Sequence, residues 1–83
     1  MPRVGASIAP AEVIAEGLAR YLGHDTARAA VRTFSDRVLG CRPDEISFAD
    51  APKLLQALRP MLRTLLGQAP ADVVVAEIEE GLR

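Results

Sequence analysis

Few side chains in this chain of 83 residues have the chemistry to act on a substrate, and they do not converge. His24 beside Asp25 is the only acid–base pair on offer. Adjacent residues at a helix start do not point at one target, and no third group is placed to orient the imidazole. Cys41 is the single thiol, with Arg37 and Arg42 near enough in sequence to lower its pKa and make it a nucleophile. Without a base beside it, it reads as a small loop hydrophobe. One histidine and one cysteine cannot build a structural zinc site, which normally takes four such ligands. No phosphate-cradling glycine loop or nucleophile elbow is present. These readings predict no enzyme activity, no metal and no cofactor.

A second kind of chemistry is charge recognition. Net charge is −1, yet the charges are unevenly spread. Arg20, Arg28, Arg32, Arg37 and Arg42 face only Asp25 and Asp36 in their segment, while Asp72, Glu77, Glu79 and Glu80 cluster near the C-terminal end with Arg83. Arg28 and Arg32 lie one turn apart on a basic helix after a glycine turn, a loose likeness to a helix-turn-helix. However, the chain as a whole is acidic, no aromatic residue interleaves the arginines, and Asp36 interrupts them. Nucleic-acid binding normally needs a net basic footprint, so it stands as the alternative rather than the main reading.

The elements that must position these groups are helical. Composition is 49% hydrophobic and 25% charged, dominated by alanine and leucine, and it lacks tryptophan. Apolar residues at helical spacing predict an all-α, compact four-helix domain with helices near 10–22, 25–39, 48–66 and 70–82. It spans residues 10–83 after a flexible segment 1–9. Pro10 opens the first helix, Ile14, Leu18 and Leu22 form its stripe, Glu16 and Arg20 form an i,i+4 pair, and Gly23 closes it as a left-handed cap. Asp25 or Thr26 caps the second, whose buried stripe is Ala27, Ala30, Val31, Phe34 and Val38. A connection of about three residues makes the first two helices a hairpin.

The third helix starts either at a Ser47 cap or at Pro52, and both starts stay open. Leu54, Leu55, Leu58, Met61, Leu62, Leu65 and Leu66 give it a wide apolar face, and Pro60 on the polar side is expected to kink it. Pro70 opens the fourth helix, with Val74, Ile78 and Leu82 inward. Leu39-Gly40 followed by Pro43-Asp44-Glu45-Ile46 resembles the loop of acyl-carrier proteins, but no serine has the neighbours of an attachment site. No internal repeat and no low-complexity tract stand out in the letters.

The segment Leu18-Ala19-Arg20-Tyr21-Leu22-Gly23, then Ala27-Arg28 and Val31-Arg32, is similar to a short helical motif in the C-terminal tails of bacterial signalling proteins. That similarity implies a bacterial regulatory accessory role. Nine arginines against one lysine also suit a high-GC bacterial genome. No segment reaches the roughly 20 apolar residues of a membrane span, no signal-peptide core opens the chain, and the lone thiol fits a reducing compartment, so a cytoplasmic location is expected.

A chain of this length buries only about 60–65% of its unfolded surface, and neither a disulfide nor a metal reinforces it. Self-association is therefore expected, with a homodimer or another protein as partner. Three consecutive valines, Val73-Val74-Val75, cannot all face one core at 100° per residue. The expected interface is Val73, Val75 and Glu77 of the last helix against Arg28 and Arg32 of the second. A sensor holding a small apolar ligand or haem has only His24 as an axial ligand.

Overall fold

A computed structural model describes residues 9–82. It is all-helical, with α1 at Pro10–Leu22, α2 at His24–Phe34, α3 at Ala51–Leu66 and α4 at Gln68–Gly81. A π-turn over Ser35–Leu39 extends α2, and a 3₁₀ turn at Pro43–Glu45 leads towards α3. No strand occurs among the described residues, and the Val73–Val75 run is helical. The apolar stripes meet in one cluster, where Ile14, Leu18, Leu54, Leu55, Leu58, Leu62 and Val74 are fully buried. The expected flexible segment lies outside the described residues except for Ala9, whose carbonyl accepts the Glu12 and Val13 N–H groups.

The connections are tighter than expected. One residue, Gly23, joins α1 to α2, and one residue, Gly67, joins α3 to α4. Gly23 is not the left-handed cap expected of it. Its φ of 87° and ψ of 160°, almost matched by 92° and 164° at Gly67, fall in a region essentially reserved for glycine. The left-handed cap is Gly40, at φ 66° and ψ 28°.

This matching reveals a repeat that the letters conceal. Gly67 follows Gly23 by 44 residues, and the same offset aligns the helices on either side. Pro10 and Leu54, Ala11 and Leu55, Ile14 and Leu58, and Leu18 and Leu62 are buried at equivalent positions. So are Ala27 and Ala71, Ala30 and Val74, and Val31 and Val75. The expectation of no internal repeat is therefore corrected. Two helix–glycine–helix units share one burial pattern, although few residues between them are identical.

Boundaries differ from expectation for local reasons. α2 turns into a π-turn at Ser35, where an extra residue per turn shifts the inward position. Leu39 packs against the core instead of Val38, which is 42% exposed. Ser35 is fully buried, and its hydroxyl donates to the Arg32 carbonyl at 3.0 Å. α2 starts at His24, without a side-chain cap from Asp25 or Thr26. Before α3, both expected devices operate in series: Ser47 Oγ accepts the Asp50 N–H at 3.1 Å in a turn, and Pro52 sits in the first helical turn. α3 therefore begins three residues later than expected and then runs on through Pro60, with Leu65 as much as 55% exposed. α4 begins at Gln68, two residues early, because Pro70 in a first turn has no N–H to lose.

The units meet where α3 packs on α2 and its π-turn, and where α1 packs closely on α4. Gly17 allows this: a Cβ there would collide with the Ile78 side chain. Gly81 answers from α4, where a Cβ would lie 3.0 Å from Val13 Cγ1. At the position equivalent to Gly17 the second unit carries Met61.

Two stability outcomes are expected. Leu62→Ala should cost about 2–5 kcal/mol in urea unfolding, because Leu62 has no exposed surface. Gly17→Ala, normally a gain of about 1 kcal/mol in a helix interior, should instead lose about 1–3 kcal/mol by overpacking. With Ile78→Ala, which removes the colliding Cγ1, the double variant should lose less than the sum of the two single losses.

Candidate functional site

The residues singled out for function fall on three adjoining grooves. Glu12, Glu16 and Arg20 line one side of the α1–α4 groove, a cavity of about 340 Å³ with Glu77 and Gly81 opposite. The α1–α2 groove is about 420 Å³. Ala11, Ala15 and Val31 form its apolar floor, Glu12 and Glu16 one wall, and His24, Arg28 and Arg32 the other, with Pro43 and Asp44 also in the lining. A third groove of about 460 Å³ holds Arg32, Arg37, Cys41 and Arg42. Glu12 and Glu16 border the first two grooves, so α1 forms a ridge with a basic wall on one flank and Glu77 on the other.

Helical periodicity builds the basic wall. His24, Arg28 and Arg32 recur every four residues, so they stand above one another along α2. None of the three forms an ion pair among the described residues. The same holds for Glu16 and Arg20, so their expected i,i+4 pair does not close. Among the described residues the ion pairs lie elsewhere. Arg42 meets Asp44 at 3.5 Å, and Asp72 receives Arg59 at 3.0 Å and Arg63 at 3.9 Å.

The five residues expected at an interface are only partly together. Arg28 and Arg32 share the α1–α2 groove, and Glu77 lies across the α1 ridge. Val73 is 50% exposed, one turn before Glu77. Val75, at 1% exposed, belongs to the core beside Val74. The helix presents Ala69, Val73, Ala76 and Glu77 outward, and the core takes the neighbouring positions Val74 and Val75 together. Sequence reasoning missed Ala15, whose small side chain opens the groove floor. It also missed Tyr21, whose hydroxyl donates to Glu77 Oε1 at 3.2 Å and ties α1 to α4. Partial desolvation, the Glu77 charge and this hydrogen bond all hold the Tyr21 phenol above its ordinary pKa, against a smaller opposing pull from Arg20.

Cys41 packs against the core as the small loop hydrophobe expected. Cys41 and His24 line different grooves. Desolvation, then the charges of Glu45, Asp50 and Asp44, push the Cys41 thiol up. Arg37 and Arg42 do not activate it, because the acidic 3₁₀ turn and the start of α3 dominate its field. Among the described residues no three histidine, cysteine or carboxylate side chains gather to hold a metal ion. No helix among them is long and apolar enough to cross a membrane. No protein family, curated protein or solved structure matches this chain.

Cys41 should therefore react with iodoacetamide at pH 7 more slowly than free cysteine does. Its rate should keep rising past the ordinary thiol pKa, since a raised folded pKa leaves less thiolate at every pH below it. A rate at pH 7 above that of free cysteine would contradict this assignment.

Proposed function

We propose that this chain is a non-enzymatic protein–protein interaction module that self-associates as a homodimer. The observation that carries this reading is a self-complementary face. Across the α1 ridge, Arg20, Arg28 and Arg32 are balanced by Glu12, Glu16 and Glu77. A strongly acidic or basic partner would leave half of this face opposed by like charge. A second copy, turned about a two-fold axis near α1, sets each basic wall against the other's Glu77 and satisfies the face twice. Val73, exposed beside Glu77, supplies apolar contact, and the charges supply orientation.

Such a module suits a regulatory role in a bacterial cytoplasm, where a small helical domain brings larger assemblies together. The grooves are open channels between helices, and their ionisable walls fit recognition of side chains on another protein.

Light scattering at about 100 μM, where dimers of micromolar affinity assemble, should report twice the chain mass of 8.9 kDa. Raised salt should weaken the dimer by screening its charges. A single-chain mass at that concentration would refute the reading. Salt-sensitive retention on a DNA column would favour the DNA-associated alternative through Arg28 and Arg32.

A further inference from the structure

At one pair of equivalent positions the two helical units run in different registers. In the second unit α4 stays α-helical to Gly81, and Leu82 then donates its N–H to the Ile78 carbonyl at 3.0 Å and packs against the core. The 44-residue offset maps Leu82 onto Val38. In the first unit the helix opens into the π-turn over Ser35–Leu39, so Val38 is 42% exposed and Leu39 packs against the core in its place. Two backbone bonds close this turn. The Gly40 N–H donates to the Asp36 carbonyl at 3.1 Å, and the Cys41 N–H to the Ser35 carbonyl at 3.3 Å. Yet the inward stripe of α2, with Ala27, Ala30, Val31 and Phe34, leads by α-helical spacing to Val38 rather than to Leu39.

We propose that residues 35–39 form a two-register switch: the π register of this structure, with Leu39 inward, and an α register like that of the second unit, with Val38 inward. Either register buries one branched aliphatic side chain. They trade the extra methylene of leucine against the general preference for the α-helix over the rare π form. Gly40 gives the exchange room. It is a left-handed cap with no atom within 4 Å of where a Cβ would lie, so the corner after the turn can reshape without a collision. Arg37 sets the bias. Its equivalent in the α register of the second unit is Gly81, which lies close against Val13, whereas the π-turn leaves the long Arg37 side chain exposed. The register also governs a surface. Asp36 and Arg37 line the groove of about 460 Å³ with Arg32 and Arg42. Passing to the α register turns the residues after Ser35 by about 100° round the helix axis, which takes that lining apart. A contact that needs this groove therefore selects the π register. The switch acts within one chain and does not depend on the homodimer.

The test uses the full chain with Cys41→Ser, so that one introduced thiol reports the register. With Val38→Cys, the thiol at this exposed position should react readily with iodoacetamide. Adding Leu39→Ala removes the side chain that holds the π register, and labelling at position 38 should then slow by about fivefold or more as that residue takes the inward place. A mere loss of packing would leave labelling unchanged or quicken it, and either result in a variant that keeps its helical circular dichroism overturns the switch. Should that variant unfold, the wild-type chain decides. Relaxation dispersion at the methyl groups of Val38 and Leu39 should show microsecond-to-millisecond exchange, and Val38→Glu, which cannot turn inward, should abolish it at Leu39. Absence of exchange at both residues in the wild type, or its persistence at Leu39 in Val38→Glu, overturns the switch.

Discussion

Between α1 and α2, and again between α3 and α4, the chain passes from one helix to the next through a single glycine with φ near 90° and ψ near 160°. A side chain on that residue would be strained wherever its atoms went. The burial pattern on both sides depends on this constraint. With no loop to absorb error, the first residue of one helix is fixed by the last residue of the other. Leu18 and Ala27, or Leu62 and Ala71, must reach the same core from either side of a one-residue corner. Ala27 and Ala71 are small because each sits close to the corner, where the neighbouring helix leaves least room.

Once each unit is fixed, the differences between them decide how they join and what they leave open. Gly17 and Gly81 let α1 and α4 approach closely, and Tyr21 secures that seam through Glu77. Met61 stands where Gly17 would be, and α3 meets the first unit mainly through the π-turn that extends α2. The same imbalance appears in charge. Arg59 and Asp72 seal their own crossing, although Arg59 Nε is buried there without an acceptor. Ala15 and Arg28 leave theirs unsealed. An ion pair of this exposure contributes little to stability, so its absence from the first unit costs the fold little and leaves Arg28 without an ion-pair partner among the described residues.

Helix number, helix class and the deepest core residues were legible from periodicity alone, because Ile14, Leu18, Leu58 and Leu62 lie at the centre of their stripes, where small errors in helix phase do not expose them. Edge positions were not. Val38 depended on an unforeseen π-turn, and Val75 on which of two neighbouring valines joins Val74 in the core; Leu65 lay at the limit of an apolar face wider than its neighbours could cover. The repeat was hidden because the units share burial rather than letters, with Ala30 facing Val74 and Phe34 facing Ile78 across the offset. Of the candidate site, the basic row at Arg28 and Arg32 was readable from four-residue spacing. Ala15 carried no signal, since an alanine on a helix gains meaning only from the arginine that fills its counterpart. That Cys41 is a loop hydrophobe was readable from its isolation, whereas the desolvation and the carboxylates of Glu45 and Asp50 that push its thiol up come from the folded chain.

The one-residue corners also bear on how quickly the chain finds its fold. Each corner brings residues into contact across a short span of sequence, so closing it costs little loop entropy. Most of the helix–helix packing lies within units rather than between them. Domains dominated by such local contacts fold among the fastest, in microseconds to milliseconds. Neither unit buries its stripe alone, because Ile78 needs the space above Gly17 and Val13 that above Gly81. The contacts between the units close longer spans of sequence than the corners do, and the seam along α1 and α4 is where a side chain added at Gly17 would stand in the way of docking.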